Sequence, residues 1–566
     1  MNRSFHNSEK TSPAIDPITV EVIGNALSTI VDQMGRVLRR SAYSANIKER
    51  GDCSAALFDT SGQLIAQAQH IPFHLGSLLG IAVETLARVD LDSVQPGDVF
   101  IGNDAYTGGG THLNDIVFLE PIFYKESIVA WAANLAHHSD FVDRGHAHIY
   151  QEGLRIPPVR LYRAGKLQQD VFDLVLLNCQ VPHERKNDFR AQMAANRMGV
   201  QRFQALCERY GVALLAGATE LLLDYSERKT RAGIKALKDG TYCFKHDFDT
   251  SLWPEILSLA VSIEVKGSEI HFDFEGCPPQ TRSGLNMVFT MLQASVYYVI
   301  KTLIDLDTPA NAGFHRPVSI SAPEQSIVNA RSPAAVYSRH DVAQRLIDMM
   351  LAALLDAVPE RGIAASTGIT VMTTSGLHPR TGRFNVYNES MGGGMGARAT
   401  RDGVDGIHVH GTNSANIPVE ALETEHPLRV ECYELVTDSG GAGTFRGGMA
   451  IRRRITPIGN AVSLNVGGPL NRVPAWGVLG AQPGGLSRVE LSAGATPLVQ
   501  RNGTLQPGES VTVITSGGGG YGEPHLRPRE LVCKDLREGR ISAQVAKTVY
   551  ALEDCSRRRV RKNPRL

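Results

Sequence analysis

His112 and Asp115 stand three residues apart in YTGGGTHLND (106–115), and His137, His138 and Asp140 crowd into HHSD (137–140). Imidazole nitrogen mixed with carboxylate oxygen is the donor set that borderline ions such as Zn²⁺ or Mn²⁺ take. A lone H-x-x-D has little specificity, because His and Asp near strand ends often cap turns. Two such groups that converge say more, and the text between them predicts convergence. IVFLEPIF (116–123) and IVAWAANLA (128–136) are β-rich, and YKES (124–127) is a polar connection. A regular hairpin with that loop pairs Asp115 with Ala136, Asn114 with His137 and His112 with Ser139. Its mouth then holds three imidazoles and two carboxylates. The glycines of YTGGGTH make a flexible loop through which a substrate could approach.

Other candidates are weaker on spacing alone. Asp52 follows KERG and precedes the apolar strand CSAALF. It could add a ligand, but an exposed turn aspartate is the simpler reading. His70 and His74, in QHIPFHLGS, form a second imidazole pair. Substrate contact and an i,i+4 core or capping role stay equally open for them. Two glycine clusters, MGGGMGAR (391–398) and SGGGGYG (516–522), read as tight turns between β segments in preference to anion nests. The chain has no G-x-x-x-x-G-K-[ST] loop and no G-x-S-x-G elbow, so neither a nucleotide loop of its own nor a serine hydrolase is supported.

The elements that must position these residues follow from pattern. Asp16-Pro17 reads as an N-cap and first helical residue, and Ile23, Leu27, Ile30, Met34 and Leu38 mark one face of a helix. Residues 173–240 are helical in pattern, strands dominate from 241, and helices are inserted at 285–305 and 341–358. Short strands and glycine-rich turns fill 365–525, and 528–551 return to helix. The fold class expected is α+β. A flexible leader (1–15) precedes a metal-binding α/β portion (16–240). A larger antiparallel β-rich portion with the glycine loops follows (241–527), then C-terminal helices and a basic tail (528–566).

The chain has 566 residues, 42% of them apolar and 20% charged, enough for a sizeable core. Lys+Arg and Asp+Glu are both 58, which removes the electrostatic case for a nucleic-acid or membrane-surface partner. The eight cysteines form no C-x-x-C pair and read as free thiols of a reducing cytosol. No signal peptide or membrane span is visible, so a cytoplasmic location is expected.

Several long segments together resemble the hydantoinase B/oxoprolinase family. They include IKERGDCSAALFD, HIPFHLGS, GNDAYTGGGTHLNDIVFLEPIF, QEGLRIPPVRLYRAGK, NIPVEALETEHPLRVECYEL, DSGGAGTFRGG and GGGGYGEP, and they run from about Asp16 to Tyr550. The family includes the B-type subunits of N-methylhydantoinases, related ATP-dependent lactamases, the C-terminal half of 5-oxoprolinases, and subunits of acetone and acetophenone carboxylases. The resemblance implies a two-subunit enzyme. An A-type ATPase partner, holding ATP and Mg, would phosphorylate the substrate oxygen. The B-type subunit would carry one divalent metal, Zn or Mn or alternatively Fe, and water activated there would open the ring.

The family's metal positions fall on Asp52, His112, Asp115 and His137. Asp140 would then be a ligand, the general base or an acceptor that orients a histidine, with His138 as the alternative base. Two departures stand out. The common N-D-P-Y reads Asn103-Asp104-Ala105-Tyr106, and the common H-x-x-D-I-G-G reads HHSDFVD. The second alters the loop beside the expected metal. The expected activity is ATP-dependent hydrolysis of a cyclic amide or imide: a hydantoin, a lactam or 5-oxoproline. The alternatives are a ketone carboxylase subunit and a non-catalytic scaffold. A heterotetramer of two A and two B chains is the family-based expectation.

Overall fold

The computed structural model describes residues 15–555 other than 69, 108, 139–146, 305–306, 470–471, 496, 499–500 and 554. The expected leader and basic tail fall largely outside these residues. Helix α1 (Pro17–Ser41) starts where the sequence says it should: the Asp16 carboxylate accepts the Thr19 N–H, and Pro17 opens the first turn. Its buried face is Ile23, Leu27, Ile30, Met34 and Leu38, as the periodicity requires. A one-turn helix, α2 (Ala45–Lys48), follows.

Seven strands form the first sheet: β1 (Cys53–Phe58), β2 (Leu64–Gln67), β3 (Val99–Gly102), β4 (Asp115–Tyr124), β5 (Ser127–His137), β6 (Val159–Arg163) and β7 (Lys166–Leu167). Their order is β2-β1-β5-β4-β3-β6-β7, antiparallel throughout. The central pair β4–β5 is almost entirely buried, so its strands are apolar runs with little alternation. Long helices α3 (Pro182–Tyr210) and α4 (Val212–Lys235) pack with α1 and complete this layer.

Four more strands, β8 (Gly240–Thr250), β9 (Trp253–Lys266), β10 (Glu269–Asp273) and β11 (Val318–Ser321), make a second sheet. Its β10–β11 pair is parallel, an exception to the antiparallel expectation. Helix α5 (Arg339–Ala353) packs against β8 and β9, and nearly every residue of it is buried. The largest apolar cluster joins Ile101, Phe118 and Phe189 to Leu259, Phe272 and Leu346, so one core runs straight across residue 240.

Two further four-stranded antiparallel sheets close on each other as a sandwich. One has β12 (Thr370–Leu377) and β13 (Phe384–Met391) beside β16 (Val462–Gly467) and β18 (Asn502–Leu505). The other has β14 (Leu428–Leu435), β15 (Ile451–Pro457), β17 (Arg488–Leu491) and β19 (Val511–Ile514). Met372, Tyr387 and Leu464 from one meet Leu428, Ile455 and Val513 from the other. The fold is thus α+β.

Two sequence expectations fail here. The cysteines are not all free: Cys533 and Cys555 form a disulfide in the C-terminal helical segment, leaving six thiols. Their separation of 22 residues carries no local signal, and only the fold brings the two together. The glycine clusters are neither turns nor anion nests. Segments around 394–396, 441–448, 482–485 and 516–520 lie side by side, joined by backbone hydrogen bonds and buried over most of their length. The Gly448 N–H donates to the Met395 carbonyl, Gly518 to Gly448, Gly441 to Gly518 and Ala397 to Gly519. Their N–H groups are already satisfied by carbonyls and cannot cradle an anion. Apart from Gly522, at φ 71°, these glycines are needed for close approach rather than for positive φ.

Beneath α3, the side chain of Glu120 on β4 is buried, and its Oε2 has no hydrogen-bond partner. Burial pushes its carboxyl up to about 7, against the pull of Arg197. A carboxyl raised on folding favours the folded chain while protonated, below about pH 4.5, and loses that contribution as pH rises through about 7. Glu120→Gln should therefore match the wild-type chain in stability at pH 4.5 and exceed it by roughly 3 kcal/mol at pH 9. Denaturant melts at both pH values check this, and a difference that is flat with pH would refute it.

Candidate metal centre and its pocket

The β4–β5 hairpin decides which side chains meet. Its turn is only Lys125-Glu126, with Tyr124 paired to Ser127 and Lys125 at φ 56°. A bulge then interrupts the ladder between Ile122 and Phe123, so that Ile122 pairs with Ala130 while Phe123 pairs with Ile128. Beyond it the register is shifted by one residue. Asp115 lies opposite His137, not opposite Ala136 as a regular hairpin would place it. A one-residue slip exchanges the two faces of a strand. The bulge therefore sets Asp115 and His137 on one face and turns His138 to the other.

His112 joins them from the turn before β4, where the Asp115 N–H donates to the His112 carbonyl. Asn103 pins that turn: its Nδ2 donates to the carbonyls of Leu113 and Leu154, and its Oδ1 accepts the Ile156 N–H. One donor atom from each of His112, Asp115 and His137 falls within 4.8 Å of the others. His112 Nε2 is 3.1 Å from Asp115 Oδ1, and the two imidazole rings are 5.0 Å apart. His112 Nδ1 is buried with no hydrogen-bond partner. An orphaned imidazole nitrogen beside a second imidazole and a carboxylate fits a divalent cation.

The electrostatics suit the same use. Burial, then the Arg339 guanidinium, press the His112 imidazole well below its ordinary range, outweighing Asp115. Burial lowers His137 and His74 as well. All three are pushed toward the neutral form, the form that ligates. Burial alone would raise the Asp115 carboxyl, but the His112 ring, its hydrogen bond and Arg339 hold it well below the usual carboxylate range.

The other residues expected from sequence fall in different places. Asp52 lines the same pocket, with Oδ1 3.7 Å from His74 Nε2, yet it lies outside the 4.8 Å cluster. Its carbonyl accepts the His137 N–H. His74 is on the pocket wall, its Nδ1 2.9 Å from Ser54 Oγ. His70 is not on that wall. Its ring packs on α1, where a Cβ at Gly35 would stand 2.1 Å from Nε2. The i,i+4 spacing does not join the pair, because the short helix begins only at His74.

His138 faces α3 rather than the pocket. Its Nδ1 accepts from Arg185 and its Nε2 donates to Gln192 Oε1, both at 3.1 Å, and its ring meets Phe189. A nitrogen already taking a guanidinium proton is no base, which corrects the expected role. Asp140 lies outside the described residues.

Sequence reasoning missed two arginines. Arg339, at the start of α5, donates to Thr111 Oγ1 at 2.9 Å and to the Tyr337 carbonyl, and its Nη2 is 3.5 Å from Asp115 Oδ2. The turn before it is tied down by Glu152, whose Oε1 accepts the N–H groups of Val336 and Tyr337. The charged run SRHD (338–341) opening this buried helix was the available signal. Arg50 stands behind His137. It donates to Asn46 Oδ1, and Asn46 Nδ2 lies 2.7 Å from His137 Nδ1 and donates to the His137 carbonyl. Ile71, Phe73, Ile369 and Val371 form the apolar wall, and Asn388 and Ser390 on β13 add polar groups.

Known proteins resemble this chain along nearly its whole length. An uncharacterised protein of Methanocaldococcus jannaschii is 37% identical over 95% of this chain and 96% of its own length. The B-type component of a putative D-/L-hydantoinase from a Pseudomonas strain is 30% identical, covering 95% of both. The crystal structure of the ATP-dependent caprolactamase of Pseudomonas jessenii superposes with a TM-score of 0.86 at 31% identity, over 95% of this chain and 96% of that one. The hydantoinase B/oxoprolinase family model matches residues 16–524, which includes the bulged hairpin, the imidazole–carboxylate cluster and both arginines. On that match and on the superposition, the chain belongs to the hydantoinase B/oxoprolinase family.

Proposed function

We propose that this chain is the B-type subunit of an ATP-dependent hydrolase of cyclic amides or imides, working with an A-type ATPase partner on a hydantoin, a lactam or 5-oxoproline. The observation that carries the proposal is the buried His112–Asp115–His137 cluster at a pocket, in a chain similar over its whole length to a caprolactamase subunit. These three residues would hold a divalent ion, with Asp52 on the same wall as the fourth candidate donor. A bound Zn²⁺ or Mn²⁺ supplies Lewis-acid polarisation of a carbonyl or phosphoryl oxygen and lowers the pKa of water.

The chain's own residues do the rest. The His112 ring and Arg339 keep the Asp115 carboxylate ionised, and the Thr111 hydroxyl donates to its Oδ2. Asn46 and the Asp52 carbonyl hold His137 in place. The apolar wall of Ile71, Phe73, Ile369 and Val371 takes the hydrocarbon part of a ring and keeps bulk water from the reacting carbonyl. Arg185 and Gln192 clamp His138 on the reverse face, so this residue supports the hairpin. Among the described residues no helix is long and apolar enough to cross a membrane.

The test is ADP release by the copurified A–B complex over hydantoins, lactams and 5-oxoproline, then ketones with bicarbonate. ADP release coupled to a ring-opened product, without bicarbonate incorporation, is expected. Release only with a ketone and bicarbonate, with labelled carbon in an acid product, would overturn the proposal in favour of a carboxylase. A metal-free chain that still stimulates its partner would make it a scaffold.

A further inference from the structure

Arg50 is buried, with 4% of its surface exposed, and it lines the pocket that holds the metal-ligand cluster. Its hydrogen bonds go to neutral groups: the side chains of Asn46 and Ser390 and the carbonyl of Asn388. Among the described residues it forms no ion pair, and its Nε donates to nothing. The nearby buried acid Glu389 is already committed to Arg453 and Tyr387. Arg339 makes the contrast, because its guanidinium is answered by Asp115. A guanidinium taken out of water without a counter-charge is costly, and it is retained where a ligand supplies the missing charge.

The pocket's charge count points the same way. Its two acids, Asp52 and Asp115, are matched in number by Arg50 and Arg339. A divalent ion would therefore leave the site net positive, ready for an anion. Ser390 lies at the same spot. Its Oγ accepts from Arg50, which leaves its own hydroxyl proton to give. A planar guanidinium with a hydroxyl beside it suits the oxygens of a phosphoryl or carboxylate group.

We infer that Arg50 is an anion-recognition residue of this pocket, holding an oxyanionic group of the ligand while the cluster of His112, Asp115 and His137 faces the same space. The inference rests on the proposed function for its metal but not for its chemistry at Arg50. Two sources offer the same oxyanion: the phosphoryl group of an activated amide, and a carboxylate carried by the ring itself.

Isothermal titration of the zinc-loaded full chain with inorganic phosphate, and separately with acetate, tests it. Arg50→Gln should weaken phosphate, acetate or both by about tenfold or more, with bound zinc unchanged. Arg50→Lys keeps the charge but loses the fork, and should weaken binding about threefold. Loss confined to phosphate assigns the phosphoryl source, and loss confined to acetate the ring carboxylate. If Arg50→Gln does not fold, Arg50→Lys decides. Dissociation constants within 1.5-fold (roughly experimental scatter) of wild type for both anions, in every variant that folds and with zinc retained, overturn the inference and leave the proposed function standing. A wild-type chain that retains no zinc counts against the proposed metal site. The same titrations on that metal-free chain then decide the role of Arg50 by the same criteria.

Discussion

Asp115→Asn is expected to abolish binding of the proposed divalent ion and to lower turnover of the proposed A–B complex by at least about a hundredfold. The substitution preserves shape and removes charge. It takes away the one carboxylate in the three-residue cluster, and with it the only anionic donor there to offset a cation's charge beside two neutral imidazoles. Even groups that only orient a ligand cost about 10–100-fold when removed, and Asp115 is a ligand candidate itself.

A second effect follows from the same change. Asp115 answers the buried Arg339 guanidinium, and breaking a buried pair from one side costs about 3–5 kcal/mol. The variant should therefore melt earlier even in the presence of chelator, where the metal contributes nothing. Metal analysis, turnover and denaturant melts with and without chelator separate the two effects. Full metal content and full turnover in Asp115→Asn would place the reaction elsewhere.

Gly394→Ala should have a large structural effect for a single methyl group. A Cβ at Gly394 would stand 2.0 Å from the Gly448 carbonyl oxygen and 2.3 Å from the Gly518 nitrogen. Both are backbone atoms inside a hydrogen-bonded stack, so neither can swing aside. Overpacking of this kind sits at the top of its usual range, about 3 kcal/mol or more. Gly267→Ala is the control: its φ is +62° and nothing lies within 4 Å, so only local strain of about 1–2 kcal/mol is expected. Urea melts of both variants check the difference. Equal losses would mean that the glycines are there for backbone freedom, the reading that sequence alone favoured.

How much of the protein was legible beforehand depends on the distance over which each feature is decided. Helix α1, strand β1 and the β4–β5 hairpin are written in neighbouring residues: a capping Asp16-Pro17, a 3.6-residue stripe, two β-rich runs around a polar turn. The ligand types His112, Asp115 and His137 were visible too, because donor chemistry is a property of the residue. The order of the hairpin was not. A bulge between Ile122 and Phe123 has no strong local signature, yet it moves every pair farther from the turn by one and swaps His137 for His138 at the site.

The rest required the folded chain. Arg339 reaches Asp115 across 224 residues of sequence, and Ser390 reaches Arg50 across 340. The glycine segments 391–398 and 516–522 carry no mark of each other in composition; only their packing shows that each exists to admit the other's backbone. Sequence by itself determined the local elements and the kinds of donor atom, since short-range torsional preference and side-chain chemistry act within a few residues. Tertiary structure decided which of those donors share a face, which charges are answered and which are left for a ligand, because burial and long-range pairing arise only when distant segments exclude water between them.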